Sequence, residues 1–214
     1  MSNLKLKTQF HTLSNKQRLY QLDVPLVGIT GGVGSGKSSV SKLFNDLGLH
    51  SIDADRLIKE IYQIPKVIKW LDLNGQGVVR DQQIDFKKLR SLFFQNIEFK
   101  NELEALLYSY LEEIFLKSVK ILNQSFVLYD IPLLFEKKLE TKFDQIICVW
   151  VDKKTQRSRL EMRDQGLEID NVIRSQLDLD LKKEKSHFVI DNSSSLTETK
   201  KQVQQLASDL FEKS

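Results

Sequence analysis

Eight consecutive residues, Gly31-Gly32-Val33-Gly34-Ser35-Gly36-Lys37-Ser38, satisfy the spacing G-x-x-x-x-G-K-[ST] at every fixed position. Such a loop handles phosphate. Glycines let successive backbone N–H groups turn around an anion without side chains blocking the approach. In that cradle of Gly32, Val33, Gly34, Ser35 and Gly36, Lys37 brings a point charge to the β- and γ-phosphates. Ser38 offers a hydroxyl to Mg²⁺, and Ser39 adds another near the α-phosphate. Two carboxylates follow at Asp53-Ala54-Asp55, and two arginines spaced four apart, Arg159 and Arg163, share a helix face. Taken alone, the acids can cap a helix and the arginines can form a solvated basic face with Lys153, Lys154 and Arg157.

These groups need elements to hold them. Leu26-Val27-Gly28-Ile29-Thr30 is a short apolar run entering the glycine loop, as a buried parallel strand would be. Beyond Lys37, Val40, Leu43, Phe44 and Leu47 recur at helical spacing, and Gly48 supplies a stop. A second strand, Leu49 to Ile52, delivers the two acids at its carboxyl end, where ligands meet parallel sheets. Further strands are expected at Phe126–Asp130, Ile146–Val151 and Phe188–Ile190, with helices from about Lys154 to Asp164 and from Leu196 to Leu210. Five strands alternating with helices predict an α/β fold with a parallel sheet covered on both faces. Residues 56–122 read as a mostly helical insertion, with a long helix through Phe99, Leu103, Leu107 and Phe115 and a shorter one through Phe86, Leu89 and Phe93.

Bulk properties narrow the function further. The chain has 214 residues, 41% hydrophobic and 29% charged, enough for one cored domain. A net charge of +3 gives no strong field toward nucleic acid or an anionic membrane. No apolar stretch approaches the ~20 residues that span a bilayer. The single cysteine, Cys148, lies in an apolar run and excludes an internal disulfide, and the three histidines lack metal-ligand spacing. A reducing cytoplasm fits. Residues 1–24 form an N-terminal extension, free of acids as far as Leu22 and expected to be partly disordered. A GTPase would need N-K-x-D after a strand, but the Asn15-Lys16 pair precedes the loop and continues Gln17-Arg18.

From Gly28 to Ser38 the sequence, followed by Leu47-Gly48 and Ile52-Asp53-Ala54-Asp55, closely resembles the dephospho-coenzyme A kinase family. The likeness continues at Ile131-Pro132-Leu133-Leu134-Phe135-Glu136, at Gln156 with Arg159 and Arg163, and at Val189-Ile190-Asp191-Asn192. The resemblance implies a P-loop kinase spanning residues 25–214, with a helical acceptor lobe at about 56–122 and a small lid at about 155–180. It implies ATP and Mg²⁺ as reactants and transfer to the ribose 3′-hydroxyl of dephospho-coenzyme A, the last step of coenzyme A synthesis. Residue by residue, it makes Asp55 the catalytic base, Lys37 and Arg163 catalytic charges, and Arg159 a second lid contact to the nucleotide. Ser38 and Asp53 hold the metal, while Asp53, Pro132, Leu133, Phe135 and Glu136 join Asp55 at the acceptor. Asp130 is either a water-mediated metal acid or part of the loop structure. A monomer or weak homo-oligomer is expected.

Three positions depart from the family pattern. Tyr108-Ser109 stands where a His-Pro pair is common, Asp85-Phe86 where Asp-Arg is common, and Ser186-His187 where Ala-Asp usually precedes the last strand. Two lie in the helical insertion, so acceptor identity is less firmly implied than nucleotide handling. A kinase for another small nucleoside or metabolite, and a weakly active regulatory descendant, remain the alternatives.

Overall fold

The computed structural model describes residues 4–163 and 169–213, with the side chains of 163 and 170–172 outside the description. Two compact units result: residues 1–53 with 122–214, and residues 54–121.

The first unit carries the sheet. Its strands are β1 (Leu4–Leu6), β2 (Leu26–Gly31), β3 (Ser51–Asp53) and, beyond the second unit, β6 (Val127–Asp130), β7 (Gln145–Trp150), β8 (Phe188–Asp191) and β9 (Phe211–Lys213). Five of them form one sheet in the order β3-β6-β2-β7-β8, every pair parallel. Alternation along the buried strands sorts side chains to two layers. Val27, Ile29, Leu128, Ile147 and Val149 face a core shared with α1 (Lys37–Asp46) through Val40 and Phe44, and with α9 (Leu196–Leu210) through Val203, Leu206 and Leu210. Cys148 points the other way, and with Val151 it packs against Leu179 of α8 (Leu179–Lys185). Helices therefore cover both faces, as the strand–helix alternation predicts. Also in this unit are α6 (Lys153–Arg163) and α7 (Ile169–Arg174).

Residues 4–24 differ from the disorder expected of the N-terminal extension. Strand β1 pairs antiparallel with β9, Leu4 opposite Lys213 and Leu6 opposite Phe211. The Arg18 guanidinium then reaches the fully buried Asp144 carboxylate, Nε to Oδ2 at 2.6 Å. Asp144 also accepts the N–H groups of Thr12, Leu13 and Leu26. A three-residue strand and one arginine leave no periodic trace, so composition alone reads this segment as loose.

The second unit contains α2 (Ala54–Ile61), α3 (Pro65–Asn74), a small hairpin of β4 (Val79–Arg80) and β5 (Gln83–Ile84), α4 (Phe86–Gln95) and α5 (Ile97–Leu122). Its own core joins Ile61, Val67, Leu71, Leu89, Phe99 and Leu103. Asp85 is the N-cap of α4, accepting from the N–H groups of Lys87 and Lys88. Phe86 meets Tyr62 edge-on with ring centroids 5.4 Å apart. Burial pushes the Tyr62 phenol up to about 12. No helix among the described residues is long and apolar enough to cross a membrane.

Candidate active site

Strand β2 ends at Gly31, and α1 begins at Lys37, so the glycine loop fills the gap between a buried strand and a helix start. The tight return requires left-handed backbone at Gly34 (φ 77°) and Gly36 (φ 83°), which glycine adopts without a Cβ penalty. Helix α1 thus points its unpaired N-terminal amides and positive dipole end into the loop.

Carbonyls of the loop are gripped from behind. Asn192, just past β8, donates Nδ2–H to the Ser35 carbonyl at 2.7 Å and accepts from the Thr199 hydroxyl at 2.8 Å. Arg159 reaches the same Ser35 carbonyl at 3.4 Å and the Asn192 carbonyl at 2.9 Å. It thus joins the phosphate loop to the turn after β8 through two backbone carbonyls. Gln156 donates to the Val33 carbonyl at 2.7 Å, and Gln176 accepts the Val33 N–H at 2.8 Å. Arg163 ends α6, and its side chain lies outside the described residues, as does part of the expected lid.

Lys37 donates to Asp130 at the end of β6, and the Ser41 hydroxyl holds the other Asp130 oxygen at 2.6 Å. Burial pushes the Asp130 carboxyl up from its ordinary range, while Lys37 and Ser41 pull against that rise. Asp53 is the cross-strand neighbour of Asp130 in the β3–β6 register, and its charge adds to the upward push. Two carboxylates and one ammonium thus meet at the carboxyl ends of adjacent parallel strands. Asp55 follows in the first turn of α2, which belongs to the second unit.

On the other side of β2, Thr30 donates to the Pro132 carbonyl at 3.2 Å. Lys182 of α8, wholly buried, donates to that carbonyl at 2.7 Å and to the Gly31 carbonyl at 3.4 Å. Its ammonium also pairs with Glu136 at 2.8 Å. The same Glu136 oxygen accepts the Leu177 N–H at 2.8 Å. Glu136, expected at the acceptor, thus has one carboxylate oxygen engaged inside the protein. Phe135 is buried and Leu133 lies at the surface.

Lys182 and Gln176 escape a reading of the sequence. Lys182 stands in Leu181-Lys182-Lys183, which looks like any solvated basic turn. Only the fold reveals that it is buried. Asn192 belongs to a quoted motif, yet its grip on Ser35 has no signature in one dimension. His187 accepts the Ile146 N–H on Nδ1 at 3.0 Å and serves strand packing. Cys148 is buried, its thiol pushed up to about 12 by burial, and is chemically quiet.

A glycine loop between a buried parallel strand and a helix, with a lysine at its end and acids on neighbouring strand ends, defines a P-loop phosphotransferase. Comparison narrows the class. The family model for dephospho-CoA kinase matches residues 25–198. A dephospho-CoA kinase from Bacillus licheniformis is 37% identical over 193 residues, covering 85% of this chain and 94% of that protein. A solved structure, TT1252 from Thermus thermophilus, superposes with a TM-score of 0.78 at 26% identity, covering 87% of this chain and 97% of that one. The dephospho-CoA kinase from Campylobacter jejuni gives 0.63 at 25% identity, covering 86% and 96%. The chain belongs to the dephospho-CoA kinase family.

Proposed function

We infer that the chain transfers the γ-phosphoryl group of ATP to the ribose 3′-hydroxyl of dephospho-coenzyme A, giving coenzyme A and ADP. The observation that carries this reading is the Lys37–Asp130 pair at the mouth of a glycine loop, in a chain matched to the family from residue 25 to 198. The backbone of Gly32 to Gly36 would cradle the phosphates, helped by the hydroxyls of Ser38 and Ser39. Lys37, turning from Asp130 to the β- and γ-oxygens, would neutralise charge that grows in transfer.

Ser38 and Asp53 are the residues that would hold Mg²⁺, with Asp130 beside them. A hydroxyl and two carboxylates in register on adjacent strand ends are hard oxygen donors, which suit this ion. Once bound, Mg²⁺ supplies further charge neutralisation on the phosphate oxygens.

In the reaction the bond from the γ-phosphorus to the bridging oxygen breaks and a bond to the acceptor oxygen forms. The hydroxyl proton passes to Asp55, and ADP departs. Such transition states are loose, so positioning and charge outweigh proton removal. Arg159 and Arg163 are the lid charges of this reading, and Pro132, Leu133, Phe135 and Glu136 its acceptor-side residues. The chain would work as a monomer or weak homo-oligomer in the cytoplasm.

The test is ADP release with ATP, Mg²⁺ and dephospho-coenzyme A, against a no-acceptor control and Asp55→Asn. Release should require the acceptor, yield 3′-phosphorylated product and fall about a hundredfold or more in the variant. ATP binding without acceptor-stimulated turnover would sink the assignment.

A further inference from the structure

Two glutamines grip the same residue of the phosphate loop with opposite polarity. Gln156 of α6 gives a proton to the Val33 carbonyl, and Gln176, between α7 and α8, takes one from the Val33 N–H. The backbone fixes this sense. A carbonyl only accepts and an amide N–H only donates, so Gln156 must present its nitrogen and Gln176 its oxygen.

Each bond acts on a whole peptide plane. A trans peptide is planar, with its C=O and N–H pointing opposite ways, and the chain has no cis peptide among the described residues. Gln156 draws the Val33 carbonyl out of the loop, so the Gly34 N–H of the same plane must turn into the hollow. Gln176 draws the Val33 N–H out, so the Gly32 carbonyl turns inward. There it accepts the Ser35 N–H at 3.0 Å, closing a four-residue turn.

These restraints matter because Gly34 sits at φ 77°, and glycine reorients at little cost. Both glutamines are firmly mounted. Gln156 is buried on its helix, and a Cβ on Gly34 would already crowd its Cγ at 3.3 Å. The Gln176 N–H is tied to the Ile173 carbonyl at 3.2 Å, and the next N–H, of Leu177, to Glu136.

We propose that Gln156 and Gln176 are positioning residues that set the anion-facing orientation of the phosphate loop. Gln156 aims the Gly34 N–H at the triphosphate, and Gln176 closes the Gly32–Ser35 turn behind it. The inference rests on the nucleotide reading of the loop and adds two residues that act through its backbone.

Glutamate at either position separates polarity from charge. Gln156→Glu and Gln176→Glu place the same negative charge against one residue. A carboxylate can still accept the Val33 N–H, yet it cannot donate to the Val33 carbonyl. ATP affinity by calorimetry should fall about tenfold more in Gln156→Glu than in Gln176→Glu, with KM for ATP rising more than kcat falls. Val33 amide exchange in the nucleotide-free protein should stay slow in Gln176→Glu and quicken in Gln176→Met. Gln156→Met, neutral and unable to donate, should also weaken ATP, and it replaces Gln156→Glu if that variant does not fold. Equal weakening by the two glutamates, or unchanged ATP affinity in Gln156→Met, would overturn the proposal. Failure of the unaltered chain to bind ATP would instead overturn the nucleotide reading beneath it.

Discussion

Lys37 and Asp130 form the contact on which the proposed phosphate chemistry rests. The carboxyl is nearly inaccessible, 2% exposed, and burial pushes its pKa up. The ammonium and the Ser41 hydroxyl offset that penalty. Lys37→Ala should cut turnover about a hundred- to a thousandfold while circular dichroism shows the fold intact. It also leaves Asp130 more strongly shifted upward. A carboxyl raised in the folded state contributes stability at low pH and loses it as pH climbs through the folded value. The melting temperature of Lys37→Ala, relative to the unaltered chain, should therefore be closer at pH 5.5 than at pH 7.5. An offset that does not change with pH would dissociate Lys37 from the Asp130 titration.

Among the elements, the loop between β2 and α1 is the most constrained. Gly36 combines a left-handed backbone with a space already taken by the Asn192 amide. Gly77, at φ 79° in the other unit, has nothing within 4 Å of an added Cβ. Gly77→Ala should therefore show the backbone cost alone, about 1 kcal/mol, whereas Gly36→Ala should lose about 2–4 kcal/mol and most ATP affinity. Thermal melts with a nucleotide titration of both variants check this. Similar losses would mean that Asn192 gives way freely. Element types themselves were largely readable. The five sheet strands and the helices after the loop, after β7 and at the end follow from apolar runs and periodicity. The hairpin of β4 and β5, strands β1 and β9, and helices α7 and α8 are too short to print a period.

Within the first unit, the segment around Arg18 is tied to the start of β7. Asp144 opens the path into β7, accepts the Leu26 N–H at the start of β2, and is held by Arg18. Burial pushes this carboxyl up, but hydrogen bonds from Arg18, Leu26 and Leu13 outweigh burial and hold it below the ordinary range. Arg18→Ala strands a fully buried carboxylate and should cost about 3–5 kcal/mol at neutral pH. A depressed carboxyl contributes stability above the unfolded value of about 3.9 and loses it as pH falls through the folded value. The deficit of Arg18→Ala, measured by urea unfolding, should accordingly shrink toward pH 3. A deficit constant from pH 7 to pH 3 would show that the arginine contributes packing alone.

By itself the sequence determined the chemistry that local spacing encodes. Glycines and Lys37 must be neighbours to wrap a phosphate, and Asp53 must end a strand to meet it, so contiguity along the chain carries the signal. The family motifs added the acceptor by the same route. Tertiary structure alone decided which side chains stand behind that loop. Gln156 and Gln176, Arg159 and Asn192, and Lys182 with Glu136 come from distant turns, and each looks like surface until packing removes its water. Burial is a property of the whole fold, and a buried polar group must find a partner. That requirement, which no stretch of chain states locally, gave Lys182 three internal acceptors and buried Arg18 of the N-terminal segment against Asp144.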